Sequence, residues 1–165
     1  MKLKYKVVDN FLPKENFNTI KNLILSSNFN WFYSPDVNVK GTDSPNMLFY
    51  FSHLFYKTLA FSETFPIINE NLLSFIKTKS LIRVKANMYP NQNLKIENGF
   101  HTDYDFSHKG AILYLNTNNG RTILNDKTKI DSVENRILFF DPSIPHDSEN
   151  CTDQKVRVNI NINYF

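Results

Sequence analysis

The chain has 165 residues, 41% hydrophobic and 15% aromatic, which excludes a disordered polypeptide and suffices for one domain with a sizeable core. Its net charge of +3 is scattered along the sequence rather than gathered into a patch, which argues against a nucleic-acid partner. The single cysteine, Cys151, excludes an internal disulfide, and no leader pattern or membrane-length apolar run is present; the expectation is a cytoplasmic protein away from membranes.

Residues 5–8 (Tyr-Lys-Val-Val) read as a short strand. A helix follows with Pro13 in its first turn, where a missing N–H costs nothing, and with Phe17, Ile20, Leu23 and Ile24 at helical spacing. It fades at Ser26-Ser27-Asn28. Trp31, Phe32 and Tyr33 read as core or a satellite cluster, and residues 34–46 as a loop, the place for any lid. Leu48 to Tyr56 reads as a buried strand. Pro66 then opens a second helix whose apolar stripe is Ile67, Ile68, Leu72, Leu73 and Ile76.

From residue 81 the periodicity changes to alternation. Ile82, Val84, Ala86 and Met88 share one face, and Arg83, Lys85, Asn87 and Tyr89 the other, the two cations being read as a solvated edge of that face. Ala111 to Asn116 is a strand, Asn118-Asn119-Gly120 a turn, and Thr122 to Leu124 and Arg136 to Phe140 are further short strands. The last strand alternates Val156, Val158, Ile160 and Ile162 with Arg157, Asn159, Asn161 and Asn163. The predicted fold is mainly β with supporting helices, a double-stranded β-helix (jelly roll), as one domain over 1–165: support in 1–80 and a catalytic core in 81–165.

Within that core, His101-Thr102-Asp103 is the stretch with chemical meaning. On a strand, residues i and i+2 project from one face, so His101 and Asp103 present an imidazole and a carboxylate to one point. His146, far along the chain, supplies a third ligand. Two histidines and one carboxylate form the facial triad that holds Fe(II) with positions left open. A lone His-x-Asp is weakly specific; the specificity lies in His146 following a buried strand and in Arg157 eleven residues later. An arginine aimed into a closed barrel requires an anion, and guanidinium pairs with carboxylate in bidentate geometry.

On these segments, residues 81–165 resemble the 2-oxoglutarate/Fe(II)-dependent dioxygenases, most closely the prolyl-hydroxylase-like branch. Asn87-Met88-Tyr89-Pro90 resembles the strand whose tyrosine faces the cosubstrate. Ile112-Leu113-Tyr114-Leu115-Asn116 resembles the family's Tyr-Leu-Asn strand, and Asn119-Gly120-Arg121-Thr122 stands where Gly-Gly-x-Thr is common, with Asn in place of the first glycine. The resemblance implies metal ligation by His101, Asp103 and His146. It implies 2-oxoglutarate binding by Arg157 and Tyr114, with Tyr89, Thr122 and Asn159 beside it. It also implies O2 as cosubstrate, release of succinate and CO2, and hydroxylation of a protein or peptide side chain or a small molecule. A carboxylate at position 103 departs from the related halogenases. The compact length and the Asn/Lys/Ile-rich composition are similar to small bacteriophage-type members.

Of the remaining candidates, His53 reads as a core or surface histidine, His108 as part of a solvated loop, and Cys151 as an incidental thiol without a partner base. A non-enzymatic jelly-roll binding module and a cupin-type metal protein are the competing readings. Neither has a use for Arg157 as an anion anchor.

Overall fold

The computed structural model describes residues 5–35 and 49–165; most of the 34–46 loop and the expected strand start at Leu48 lie outside them. The elements run β1 (Lys6–Val8), α1 (Lys14–Ile24), β2 (Phe32–Ser34), β3 (Tyr50–Lys57), β4 (Leu59–Ala60), α2 (Phe65–Asn71), a 3-10 turn (Leu73–Phe75), β5 (Leu81–Pro90), β6 (Lys109–Tyr114), β7 (Asn118–Leu124), β8 (Lys129–Ser132), β9 (Ile137–Phe140), β10 (His146–Ser148) and β11 (Val156–Tyr164). They form an eight-stranded antiparallel sheet, β1-β9-β6-β11-β5-β3-β2 with β4 on β3, and a three-stranded sheet, β10-β7-β8.

Alternation sorts the faces of the large sheet. Val84, Ala86, Leu113, Val158, Ile160 and Ile162 share one core with Phe17, Ile20 and Ile24 of α1, Ile68 of α2 and Leu72 just after it. Each of these side chains larger than Ala86 contributes about 1.5–3 kcal/mol of burial, so both helices are held by packing. The opposite face carries Tyr114, Ile112, Leu138 and Phe140, which meet Leu124 and Ile130 from the small sheet in a second, smaller cluster. The remaining positions of that inner face are polar and form the floor of the site.

Several local expectations change. The second helix ends early: Leu72 leaves helical geometry (φ −129°, ψ −56°), and Asn71, a residue type that competes with backbone bonding, donates its side-chain amide to Ile67 O at 3.0 Å. Asn118-Asn119-Gly120 is no turn but the irregular start of β7, where the pairing with β8 shifts register between Asn118 and Arg121. β8 escapes the sequence pattern because Lys129-Ile-Asp-Ser132 is short and half polar. Trp31 packs on the main core, but Phe32 and Tyr33 are exposed, on an edge strand with one neighbour. Among the described residues, no helix is long and apolar enough to cross a membrane.

Candidate active site

The two histidines are brought together by backbone pairing. His101 N donates to His146 O and His146 N to His101 O, both at 2.9 Å, an isolated antiparallel bridge that sets the imidazole centroids 4.6 Å apart. Asp103 follows on a bend, pinned by its N–H to Pro142 O at 3.0 Å. The expected regular strand under His-x-Asp is thus one bridge and a bend, and the convergence survives because Pro142 and His146 anchor both ends. One ligand atom from each of His101, Asp103 and His146 lies within 4.8 Å of the others.

The surroundings suit these groups to a cation. His101 Nδ1 faces Gly99 O at 3.3 Å and His146 Nδ1 faces Ile144 O at 3.1 Å. With both Nδ1–H groups donating to carbonyls, each Nε2 keeps its lone pair. Burial, and then the neighbouring His101, lower the His146 pKa to about 4, so it is neutral at ordinary pH. For Asp103, burial acts to raise the pKa, but Arg83 and then His146 outweigh it and hold the carboxyl well below the usual range. Arg83 Nη2 donates to Asp103 Oδ1 at 2.8 Å, and Asn161 and Asn163 Nδ2 donate to Oδ2 at 3.2 and 2.8 Å.

Farther along the inner face stands Arg157, 1% exposed. Its Nε donates to Ser132 Oγ at 2.9 Å and its Nη2 to Thr122 Oγ1 at 3.1 Å, while Tyr114 OH donates to the same Thr122 oxygen at 2.8 Å. The guanidinium lies 5.5 and 5.7 Å from the rings of Tyr89 and Tyr114. Among the described residues, no carboxylate lies within ion-pair distance of it. A fully buried guanidinium without a counter-ion is costly and stands ready for an anion. Burial raises the Tyr89 pKa to about 12 and raises that of Tyr114, so both hydroxyls keep their protons. Asn159 lies between the two ends, its Oδ1 accepting from Asn87 Nδ2 at 3.1 Å. Tyr89, His101, Thr122, His146, Arg157 and Asn159 line one narrow cavity.

Solved structures with the same architecture include a prolyl hydroxylase from Trichoplax adhaerens in complex with a hypoxia-inducible-factor peptide. It is 16% identical, with a TM-score of 0.67 over 98% of this chain and 83% of that one. A Pseudomonas putida prolyl-4-hydroxylase is 14% identical, with a TM-score of 0.61 over 99% and 93%. The α-ketoglutarate-dependent epimerase SnoN from nogalamycin biosynthesis is 12% identical, with a TM-score of 0.64 over 99% and 78%. The chain has the fold of these enzymes. No family model matches the sequence, and no curated protein matches it.

On this fold, the structure gathers every predicted site residue into one region and adds six that sequence reasoning missed or misjudged. Arg83 and Lys85 are half-buried, not solvated: on the face of β5 that they share with Tyr89, Arg83 meets Asp103 and the Tyr104 ring, and Lys85 meets Tyr50. Asn161 and Asn163 hold the Asp103 carboxylate from the face of β11 that they share with Arg157, a role the sequence reading did not give them. Ser132 lies on the unpredicted β8. His108 is buried, not in a solvated loop: Nδ1 faces Phe106 O at 2.8 Å and Nε2 faces Asn163 Nδ2 at 3.0 Å. His53 is a core histidine, bonded to Asn30 O and Ser62 Oγ at 2.7 and 2.8 Å, and Cys151 is a buried free thiol.

Proposed function

We propose that this protein is an Fe(II)- and 2-oxoglutarate-dependent dioxygenase, a single domain on a double-stranded β-helix core, that hydroxylates a protein or peptide side chain or a small molecule. The observation that carries the reading is a His–Asp–His cluster whose two histidines share a cavity with a buried arginine that has no counter-ion among the described residues. A cupin-type protein or a binding module needs the first at most; only a metal-bound dicarboxylate uses both.

The donor set fits the metal: two imidazole nitrogens and one carboxylate are the ligand type of non-haem Fe(II) sites with open positions. His101, Asp103 and His146 would hold it, and Asn161, Asn163 and Arg83 orient the carboxylate. When bound, Fe(II) with 2-oxoglutarate and O2 supplies oxidative decarboxylation to succinate and CO2 together with oxidation of the substrate. Arg157 would bind the distal carboxylate of 2-oxoglutarate, with Thr122 and the protonated Tyr114 and Tyr89 as neutral donors around it. Asn159 and Asn87 supply amides along the cosubstrate's length. The small sheet closes over Arg157 and keeps water from that ion pair, which strengthens it. SnoN is described as an epimerase, so the fold leaves the fate of the substrate open; the prolyl hydroxylases among the similar structures, one with a bound peptide, favour hydroxylation of a side chain. A cytoplasmic setting rests on the lone free thiol.

The test is an anaerobic titration with Fe(II) and then 2-oxoglutarate, following the visible charge-transfer band of the chelate. The band is expected in wild type, absent in His146→Ala, and shifted to far higher cosubstrate concentration in Arg157→Ala. Its absence from folded wild-type protein at high concentrations of both would overturn the assignment.

A further inference from the structure

Arg83 and Lys85 have more positive charge than their neighbours neutralise. They stand two residues apart on the inward face of β5, and Asp103 is the one carboxylate that faces them among the described residues. Asp103 has other obligations: its oxygens receive three donors, and it belongs to the metal cluster. Arg83 Nε is buried without a hydrogen-bond partner, and the guanidinium lies 5.4 Å from the Tyr104 ring. Among the described residues, Lys85 Nζ reaches only the Tyr50 hydroxyl, at 3.3 Å, and lies 5.2 Å from that ring. Ammonium groups this enclosed are normally paired with an acid.

The pair is distinct from the Arg157 anchor. In the β5–β11 register Arg157 is opposite Tyr89, whereas Lys85 is opposite Asn161 and Arg83 opposite Asn163. Four residues separate Lys85 from Tyr89, about 13 Å along the strand. The two cations therefore flank the metal cluster on the side away from Arg157. A divalent metal would add to their charge, and 2-oxoglutarate, held by Arg157, would offset only part of it. Tyr50, stacked on Tyr89 at 5.5 Å and 17°, walls this region from the β3 side.

We propose that the substrate carries an anionic group, a carboxylate or a phosphate, that binds between Arg83, Lys85 and the Tyr50 hydroxyl. The inference rests on the oxygenase reading and names what its substrate bears.

The test follows the lysine side-chain NMR signals of protein labelled at lysine and loaded with Zn(II) and 2-oxoglutarate, with Lys85 identified through Lys85→Gln. Acetate, methyl phosphate and neutral acetamide are titrated at constant ionic strength. The Lys85 signal is expected to shift saturably with acetate or methyl phosphate, at concentrations that leave exposed Lys57 in place, and to ignore acetamide; the more effective anion identifies the group. In Arg83→Gln the midpoint is expected to rise at least fivefold. A Lys85 response no larger than that of Lys57, or equal for acetamide, overturns the proposal. Failure of the protein to take up 2-oxoglutarate, measured before the titration, overturns the oxygenase reading instead.

Discussion

Asn163 Nδ2 lies 2.8 Å from Asp103 Oδ2 and 3.0 Å from His108 Nε2, so one side-chain amide joins a candidate metal ligand to a buried histidine outside the cluster. His108 holds Asn163 from behind, and Asn163 holds the carboxylate. Groups that orient a ligand typically carry 10- to 100-fold in metal affinity. Asn163→Leu is therefore expected to weaken Fe(II) or Mn(II) binding by about that factor, and His108→Leu by less, with 2-oxoglutarate affinity at saturating metal little changed. Metal titrations of the three proteins decide it; unaltered affinity in Asn163→Leu would remove the amide from this role.

Arg157 is expected to behave unlike most buried residues. Its guanidinium is buried without a carboxylate among the described residues, so Arg157→Met, of similar volume, removes a desolvated charge and is expected to leave the metal-free protein at least as stable as wild type. The same change is expected to cost about 2–5 kcal/mol in 2-oxoglutarate binding. Thermal unfolding with and without metal and cosubstrate measures both at once. A large loss of stability in the free protein would contradict the argument.

Gly120 is tied to Arg157 by space. A Cβ at position 120 would stand 2.7 Å from Arg157 Cδ and 2.8 Å from Glu149 O. Gly120→Ala must displace one of them, at about 1–3 kcal/mol. The expected signature is a moderate loss of stability with weakened 2-oxoglutarate binding and unchanged metal affinity, read by urea denaturation and the same titrations. Equal stability and equal cosubstrate affinity would show that Arg157 yields freely.

The acid side of the metal-free protein's stability curve carries a mark from His146. Its pKa is about 4 in the native chain against the ordinary 6.5. Between those values the unfolded chain binds a proton that the native chain does not. The contribution is fully present above pH 6.5, is lost as pH falls toward 4, and levels off below. At pH 5 the loss is about 2 kcal/mol. Urea denaturation at pH 7, 6 and 5 is expected to show this slope, flattened in His146→Gln; parallel slopes in the two proteins would refute it.

How much of this was legible in the sequence depends on periodicity. β5 and β11 alternate over nine or ten residues, and their inward sets could be read directly, including Arg157 and Tyr89. The His101–Asp103–His146 cluster was legible as residue types, although its supporting bridge was not, since a single backbone pair leaves no repeating pattern. Arg83 and Lys85 were misjudged because charge on a strand face indicates solvent only when that face is outermost, and pairing order is not local information. Gly120 looked like a turn residue, but it is required by the approach of Arg157, a neighbour 37 positions away that no local rule detects.

β11 carries the proposed anion anchor, Arg157, and the carboxylate-holding amides at Asn161 and Asn163 on one uninterrupted face, six residues and about 20 Å from end to end. Its central place, between β5 and β6, removes any hinge between those two functions. Loss or gain of a single residue within it would turn one set outward into the helix-covered core while leaving the other in place. Length variation compatible with the proposed activity is thus expected in connections such as residues 125–128, the turn between β7 and β8 whose first three residues are exposed, where an insertion leaves the distance between the proposed metal cluster and cosubstrate anchor unaltered. A lineage retaining this chemistry is expected to diverge in those connections and to keep the length of β11 fixed.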